Sequence, residues 1–380
     1  MSSKKVIKTA SLTALTVSVT LLFMGSTHAA PTFEAYGIID TGLALRNGPD
    51  GNGDNETRFT MESGVMMGNR LGIRGRDTIS GDLTVSFVLE GGFDTDTGQL
   101  YSYSGDRSRI FGRETQVSLE TKFGTLTFGR VGNFFSGNGT YGIWAPNASP
   151  YSIGYLESGS QYTMFGYTRL DNSVTYKSPT FAGFNFLMQY SLQTNFQEND
   201  QESKNNRQLG GALLYQNGKL KTMAIVEWLN RANQDGSEID DQILAGVNLS
   251  YDFTSFKPYI AFQYQRSVQR LFAAVDGTTI SSMASNGNEG ITGYTFALGT
   301  DIALWNGTLK SGIQYYDGKD DADSQSDFRR FILGIGYRYP FSKKVSLYMG
   351  VNYVNDDLET SDRKIDDDLV TIFSGLNYRF

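Results

Sequence analysis

Apolar residues along this chain recur at every second position. FEAYGIIDTGLAL sets Phe33, Ala35, Ile39, Leu43 and Leu45 on one face, DLTVSFVLEGGF sets Leu83, Val85, Phe87, Leu89 and Phe93, and FNFLMQYSL sets Phe184, Phe186, Met188, Tyr190 and Leu192. The alternation returns from Ile243 to Phe253, from Phe331 to Tyr339 and from Val345 to Tyr353. Successive side chains of a strand point to opposite faces, so each run predicts a strand with one apolar face. The runs span about nine to fourteen residues, enough for a tilted strand to cross a bilayer. The last run, FSGLNYRF, stops in mid-strand on Phe380, with Tyr378, Leu376, Ile372 and Val370 on the same face.

Connectors between the runs alternate in length. Short ones at 80–82, 123–124, 179–183, 217–219, 254–255, 306–307 and 341–343 carry tight-turn chemistry. Long polar ones lie between them, at 47–58, 96–110, 132–167, 196–206, 232–240, 268–290, 318–327 and 356–366. Seven short and eight long connectors join sixteen strands. The predicted fold class is therefore all-β, a transmembrane antiparallel β-barrel of 16 strands, closed so that no strand edge is left unpaired in lipid. A secreted soluble sandwich or propeller fits less well, because soluble strands centre on about five or six residues. Aromatic residues also gather at the ends of the stripes (Tyr251, Phe253, Tyr337, Tyr339), where an interfacial girdle would place them.

The N-terminus has a different pattern. Lys4, Lys5 and Lys8 precede the apolar run SLTALTVSVTLLFMG and small residues follow it, the layout of a secretory signal peptide over 1–29, with cleavage expected after Ala29 and a barrel domain over 30–380. The only histidine, His28, would leave with that segment, and the chain has no cysteine. Ser-His and Cys-His nucleophilic pairs and His/Cys zinc sites are thereby excluded, which argues against an outer-membrane hydrolase. Removal also takes three of the 33 basic residues and none of the 40 acidic ones, so the mature chain has 30 against 40, a net charge of −10. An acidic exported protein is not a nucleic-acid binder on charge grounds.

Three blocks carry a resemblance to a known family: GNRLGIRGRDTISGDLTVSFVLEGGFDTDTG (68–98), FGRETQVSLETKFGTLTFGR (111–130) and DNSVTYKSPTFAGFNFLMQYS (171–191). They resemble the general, non-specific trimeric porins of the Gram-negative outer membrane, particularly the neisserial and betaproteobacterial type, and the resemblance runs from Ala35 to Phe380. It implies a homotrimer of sixteen-stranded barrels set in outer-membrane lipid and lipopolysaccharide, each with its own aqueous pore narrowed by the third external loop. It further implies that Leu376, Tyr378 and Phe380 are read by the barrel-assembly machinery and that the last strand pairs with the first. The implied function is passive diffusion of ions and small hydrophilic solutes, with no enzymatic activity and no cofactor.

The 132–167 connector is long for a structureless loop, and such loops are normally functional. Phe134, Phe135, Tyr141, Trp144, Tyr151 and Tyr155 make it too apolar for a solvated surface, so it is expected to fold into the barrel. Strand parity then sorts the charges. Leu71 and Ile73 outward put Arg70, Arg74 and Arg76 inward; Leu170, Val174 and Tyr176 outward put Arg169, Asp171 and Lys177 inward; strand one turns Glu34, Tyr36 and Asp40 inward. Arg70 and Arg169 match positions where the family carries its constriction arginines. Arg113 matches a third, but it shares parity with Val117 and Leu119, so a bulge is needed to aim it at the pore. Arg130 shares parity with Leu126 and Phe128 and should face outward; by resemblance it would contact a neighbouring subunit's second loop, with Asp94, Asp96 and Asp106 as candidate partners, and a solvated strand-end charge is the alternative.

Opposed charges across a narrow gap orient polar solutes, and their net sign sets ion preference. Glu157 is the only carboxylate between 132 and 167, and the family's acidic Pro-Glu-Phe stretch is missing, so arginine outnumbers acid and a weak to moderate anion preference is expected. Asp40 and Asp171 could offset part of that excess. A substrate-specific channel for a sugar or organic acid is the alternative, with Tyr36, Tyr316 and Tyr348 as a stacking track. The acidic stretches 317–327 and 355–368 could bind Ca2+ loosely or bridge lipopolysaccharide through divalent ions, but they lack the spacing of a dedicated calcium loop and read better as solvated loop charge.

Overall fold

The computed structural model describes residues 30–49, 54–100, 109–164, 166, 169–232, 238–269, 288–323, 325–361 and 364–380; the expected signal peptide over 1–29 and Asp106 lie outside them. In chain order the strands are β1 (Thr32–Pro49), β2 (Asn55–Ser63), β3 (Arg70–Ser80), β4 (Leu83–Gly92), β5 (Glu114–Thr121), β6 (Gly124–Gly132), β7 (Arg169–Lys177), β8 (Phe184–Ser191) and β9 (Arg207–Asn217). They continue with β10 (Leu220–Asn230), β11 (Gln242–Tyr251), β12 (Phe256–Val268), β13 (Ile291–Leu304), β14 (Gly307–Asp320), β15 (Asp327–Pro340), β16 (Val345–Glu359) and β17 (Lys364–Arg379). Sequence neighbours pair antiparallel around one sheet, and β17 closes on β1 from Ile38 opposite Arg379 to Asn47 opposite Val370. Beyond the ladder, Phe380 and Gly37 exchange two backbone hydrogen bonds of 3.2 Å. The Phe380 ring lies where a Cβ on residue 37 would go, so a larger residue there would displace the terminal ring.

Seventeen segments make sixteen staves because the second is broken. β1 pairs with β2 over Thr41–Pro49 and with β3 over Thr32–Ile38, so β2 and β3 are one stave interrupted at 64–69. Gly64 turns the chain at φ 73°, and Val65 and Met66 bury themselves against Tyr151, Tyr155, Tyr348 and Phe373 on the lumen side. The alternation in the sequence does not reveal this break, since an apolar residue remains in nearly every turn of MESGVMMGNRL.

Several long connectors are shorter than expected, because the strands run on past the bilayer. The 47–58, 318–327 and 356–366 loops shrink to the gaps after Pro49, Asp320 and Glu359, and Asp366, Asp367 and Asp368 belong to β17, not to a loop. Arginines tie these acidic ends together. Arg329 pairs with Asp327, Asp317 and Asp357, and Arg330 grips Asp356 with both carboxylate oxygens at 2.6 and 2.7 Å.

The outer surface is an apolar belt. Val226, Val247, Phe262, Met349 and Ile372 are each exposed on it, a surface that only lipid or a partner can cover. Phe123, Phe181, Phe253, Trp305 and Phe341 stand exposed on the short turns, forming the girdle at that end. Inside, the 133–164 segment occupies the lumen, and its side chains form the barrel's principal buried cluster with the inner wall.

Candidate functional site

The third loop is fixed from its first residue. Asn133 donates to Glu227 Oε2 on β10 at 2.9 Å, and its own Oδ1 accepts from the Phe135 amide. Phe134, Phe135, Trp144 and Ala148 then pack on Leu187, Met223, Ile225, Leu244 and Ala261, the lumen-facing residues of β8 to β12. Trp144 is fully buried, edge-on to Phe135 at 4.9 Å, with its indole donating to Met164 Sδ at 3.0 Å. A Cβ at Gly246 would come within 2.7 Å of the Trp144 ring, so a bare backbone is needed on that stave. After Trp144 a helical turn, α1 (Ala145–Ala148), carries Pro146 in its first turn, where the missing N–H costs nothing.

From Pro150 the loop crosses to the opposite wall. Tyr151 donates to the Gly334 carbonyl at 2.5 Å, and burial raises its hydroxyl pKa, keeping it a protonated donor. Tyr155 meets Tyr348 and Phe373 edge-on, and its amide donates to the Val65 carbonyl of the broken stave at 2.5 Å. Glu157 accepts from Arg46 Nε and Asn352 Nδ2, each at 3.0 Å, and Arg46 also pairs with Glu62 at 2.5 Å. The loop's one acidic group is thus paired on the β1–β16 side, away from the arginines that parity had set opposite it.

Those arginines gather around a different carboxylate. Arg113 Nε donates to Glu90 Oε1 at 2.7 Å, Arg70 lies 3.7 Å from the same oxygen, and Tyr36 donates to Glu90 Oε2 at 3.0 Å. Arg113 reaches the lumen without a bulge in β5: it sits in a bend just before Glu114, where strand parity does not apply. Arg169 lies beside it, donating to the Arg113 carbonyl at 2.6 Å and to Asn138 of the third loop at 3.0 Å. Arg74 pairs with Glu34 at 2.8 Å, both more than half exposed, and lies 5.1 Å from the Tyr36 ring centroid. Glu90 and Arg46 are legible by parity, from Leu89 and Leu45 facing out, and join the sequence-predicted residues at the site.

Two expectations need correction. Asp171 does not face the pore. Three residues of β6 (Gly129 to Val131) oppose four of β7 (Ser173 to Leu170), a bulge at Asn172 with φ 47° that reverses the facing of Asp171 and Leu170. Leu170, expected outside, is fully buried opposite Val131, and Asp171 joins Arg130, accepting from it at 2.6 Å and from Arg109 at 2.8 Å. Arg130 lies opposite Thr115, on the face that carries exposed Val117, Leu119 and Phe128. It is only 9% exposed, held by Asp171 and by the Gly112 carbonyl, so it is not a solvated charge. Asp40 does face inward but is sealed off. It accepts from the Met66 amide, Tyr348 and Asn377, anchoring the broken stave and not lining open water. Tyr316 is enclosed among Val268, Ile291, Phe328 and Leu358, so with Tyr348 under Tyr155 no open aromatic track exists among these residues.

Below the loop, toward the short turns, the lumen widens into a cavity of about 500 Å3 whose walls include Glu34, Arg74, Arg76, Glu120, Tyr141 and Lys177. Its lining mixes these charged groups with apolar ones, among them Val88, Ile143, Leu187 and Leu214, and no helix among the described residues is long and apolar enough to cross a membrane.

Comparison with known proteins gives the same picture. The chain is 27% identical to an outer membrane porin protein of Bordetella pertussis, over 94% of this chain and 97% of that one. It is 26% identical to outer membrane porin protein 32 of Delftia acidovorans, over 92% and 91%. Among solved structures, an anion-selective porin from Comamonas acidovorans superposes with a TM-score of 0.69 at 22% identity, over 92% of this chain and all of that one. A trimer form of OmpT from Vibrio cholerae gives 0.63 at 15% identity, over 93% and 100%. A sequence profile for the Gram-negative porin matches residues 12–358, most of the chain. A closed sixteen-stave barrel with an apolar belt outside, a folded-in loop and a charged lumen inside is an outer-membrane channel and not an enzyme, and the chain belongs to the Gram-negative porin family.

Proposed function

We propose that this passive outer-membrane channel is a non-specific porin that works as a homotrimer and prefers anions. The observation that carries the reading is the sharing of one carboxylate, Glu90, by Arg70 and Arg113, with Arg169 beside them. Two guanidiniums against one carboxylate leave a positive field where the third loop narrows the lumen, which favours anions and orients polar solutes. Two structural neighbours, the anion-selective porin of Comamonas acidovorans and the trimer form of OmpT, support the same reading. In the trimer, the outward Arg130–Asp171–Arg109 cluster is the proposed subunit contact.

A size series tests the non-specific character. Proteoliposomes containing the purified protein are expected to swell in neutral sugars at rates that fall with solute size and rise linearly with concentration. Saturation by one sugar or one organic acid would instead establish a specific channel.

A further inference from the structure

Arg46, Arg70 and Arg113 at the narrow level of the pore each touch a carboxylate, whereas five basic side chains at the short-turn mouth do not. Arg46 has Glu62 and Glu157, and Arg70 and Arg113 have Glu90. Nearer the turns, Arg74 has Glu34, Arg76 has Glu120 and Lys310 has Asp301. Lys177, Lys221, Lys257, Arg338 and Arg379 have no carboxylate partner among the described residues. Their close partners among the described residues are neutral: Lys257 lies 4.7 Å from the Tyr259 ring centroid, Arg338 donates to Ser346 at 2.9 Å, and Arg379 donates to Asn377 at 3.2 Å and to Met67 Sδ at 2.7 Å.

All five share the lumen face. Lys177 follows inward Thr175, Lys221 precedes inward Met223, Lys257 precedes inward Tyr259, and Arg338 and Arg379 follow Gly336 and Asn377. Each lies close to a short turn or to the final residue, so the five form an arc at one height beneath the third loop. Asn147 of α1 reaches the Lys221 carbonyl at 3.5 Å, which sets the loop as the roof of this arc. Lys177 and Lys257 both act electrostatically on Lys221, although they come from β7, β10 and β12. Asp301, opposite Lys257 in the β12–β13 register, is already engaged by Lys310 and Tyr259, so the converging like charges from separate staves stay in excess, and a mobile anion relieves them.

We infer that the Lys177–Lys221–Lys257 arc is a binding station for multivalent oxyanions, phosphates and polycarboxylates with two or more negative charges, at the periplasmic mouth of the pore. This rests on the porin reading and places the stronger part of the anion preference at the mouth. Three ammonium groups on flexible stems suit an oxyanion that can bridge two of them, while a monovalent chloride gains from only one at a time.

The test is block of single-channel KCl current by inorganic pyrophosphate, added to one side of a planar bilayer and then to the other. The expected result is block that is stronger from one side and whose half-blocking concentration rises about tenfold or more in the triple variant Lys177→Gln/Lys221→Gln/Lys257→Gln. Lys343→Gln, on an exposed turn, should leave block unchanged. The pair Arg338→Gln/Arg379→Gln should weaken it less, in the same direction, and tests the arc separately if the triple variant fails to assemble. Wild-type channels that pyrophosphate does not block, or blocks equally in these variants, would overturn the station and leave the porin standing. No current at all from the wild type would overturn the porin reading itself.

Discussion

The two halves of the inner wall are built on opposite principles. From β8 to β13 the lumen-facing residues include Leu187, Ala212, Met223, Ile225, Leu244 and Ala297, all at most 2% exposed. From β1 to β7 they include Glu34, Tyr36, Arg70, Arg74, Glu90 and Glu120. This wall also carries polar groups such as Gln189, Glu227, Asn248 and Gln263, but its apolar patch would be costly in a water-filled barrel unless something covers it, and the third loop does so with Phe134, Phe135 and Trp144. The charged wall keeps its water and its ion pairs. The loop is therefore a fixed liner of one half and an edge for the other, so the pore runs along the charged side.

Removing the liner should have the largest effect. Deletion of 140–160 is expected to raise single-channel conductance severalfold and to bare apolar wall, read out as added noise; unchanged conductance would mean the loop does not line the pore. Trp144→Ala should cost the docked loop about 3–5 kcal/mol, the usual penalty for truncating a buried aromatic. Its readout is a noisier, larger conductance with the barrel still assembled. Gly246→Val attacks the same contact from the wall, and overpacking of about 1–3 kcal/mol should give a weaker version of the same phenotype.

On the charged side, Glu90→Gln leaves Arg70 and Arg113 without their shared carboxylate. Reversal potentials should move toward stronger anion selectivity, whereas the apolar docking of the third loop stays unaltered. A shift toward cations would contradict the placement of these arginines at the pore. The smallest effect belongs to Arg74→Gln. Its pair with Glu34 is exposed and worth under about 1 kcal/mol, so thermal unfolding should be unchanged and only ion preference should shift slightly.

Much of this contrast was legible in the sequence. Period-two alternation gives the staves and closure, and Phe134, Phe135 and Trp144 identify a loop unsuited to solvent. Parity also turns Arg70, Arg74 and Glu34 inward, and the same rule would have found Glu90 and Arg46. What alternation cannot show is a change of phase. The bulge at Asn172 inserts one residue into β7 and sends Asp171 outward, and nothing in TRLDNSVTYK distinguishes that from a regular strand. The break at 64–69 is hidden for a similar reason, since Val65 and Met66 are apolar whether they face lipid or the loop. Asp366 to Asp368 look like loop residues in the sequence, while arginine pairs at 329 and 330 stabilise the β15–β16 end of that extended sheet.

The central claim is that an aqueous, positively biased pore runs between the third loop and the charged wall. Its most direct test is single-channel current and reversal potential of the purified protein in a planar bilayer under a tenfold KCl gradient. The account predicts conductance lost and gained in steps of three, with a reversal potential on the anion-selective side. A cation-selective potential would contradict the reading of Arg70, Arg113 and Arg169, and an absence of channels would contradict the open pore itself.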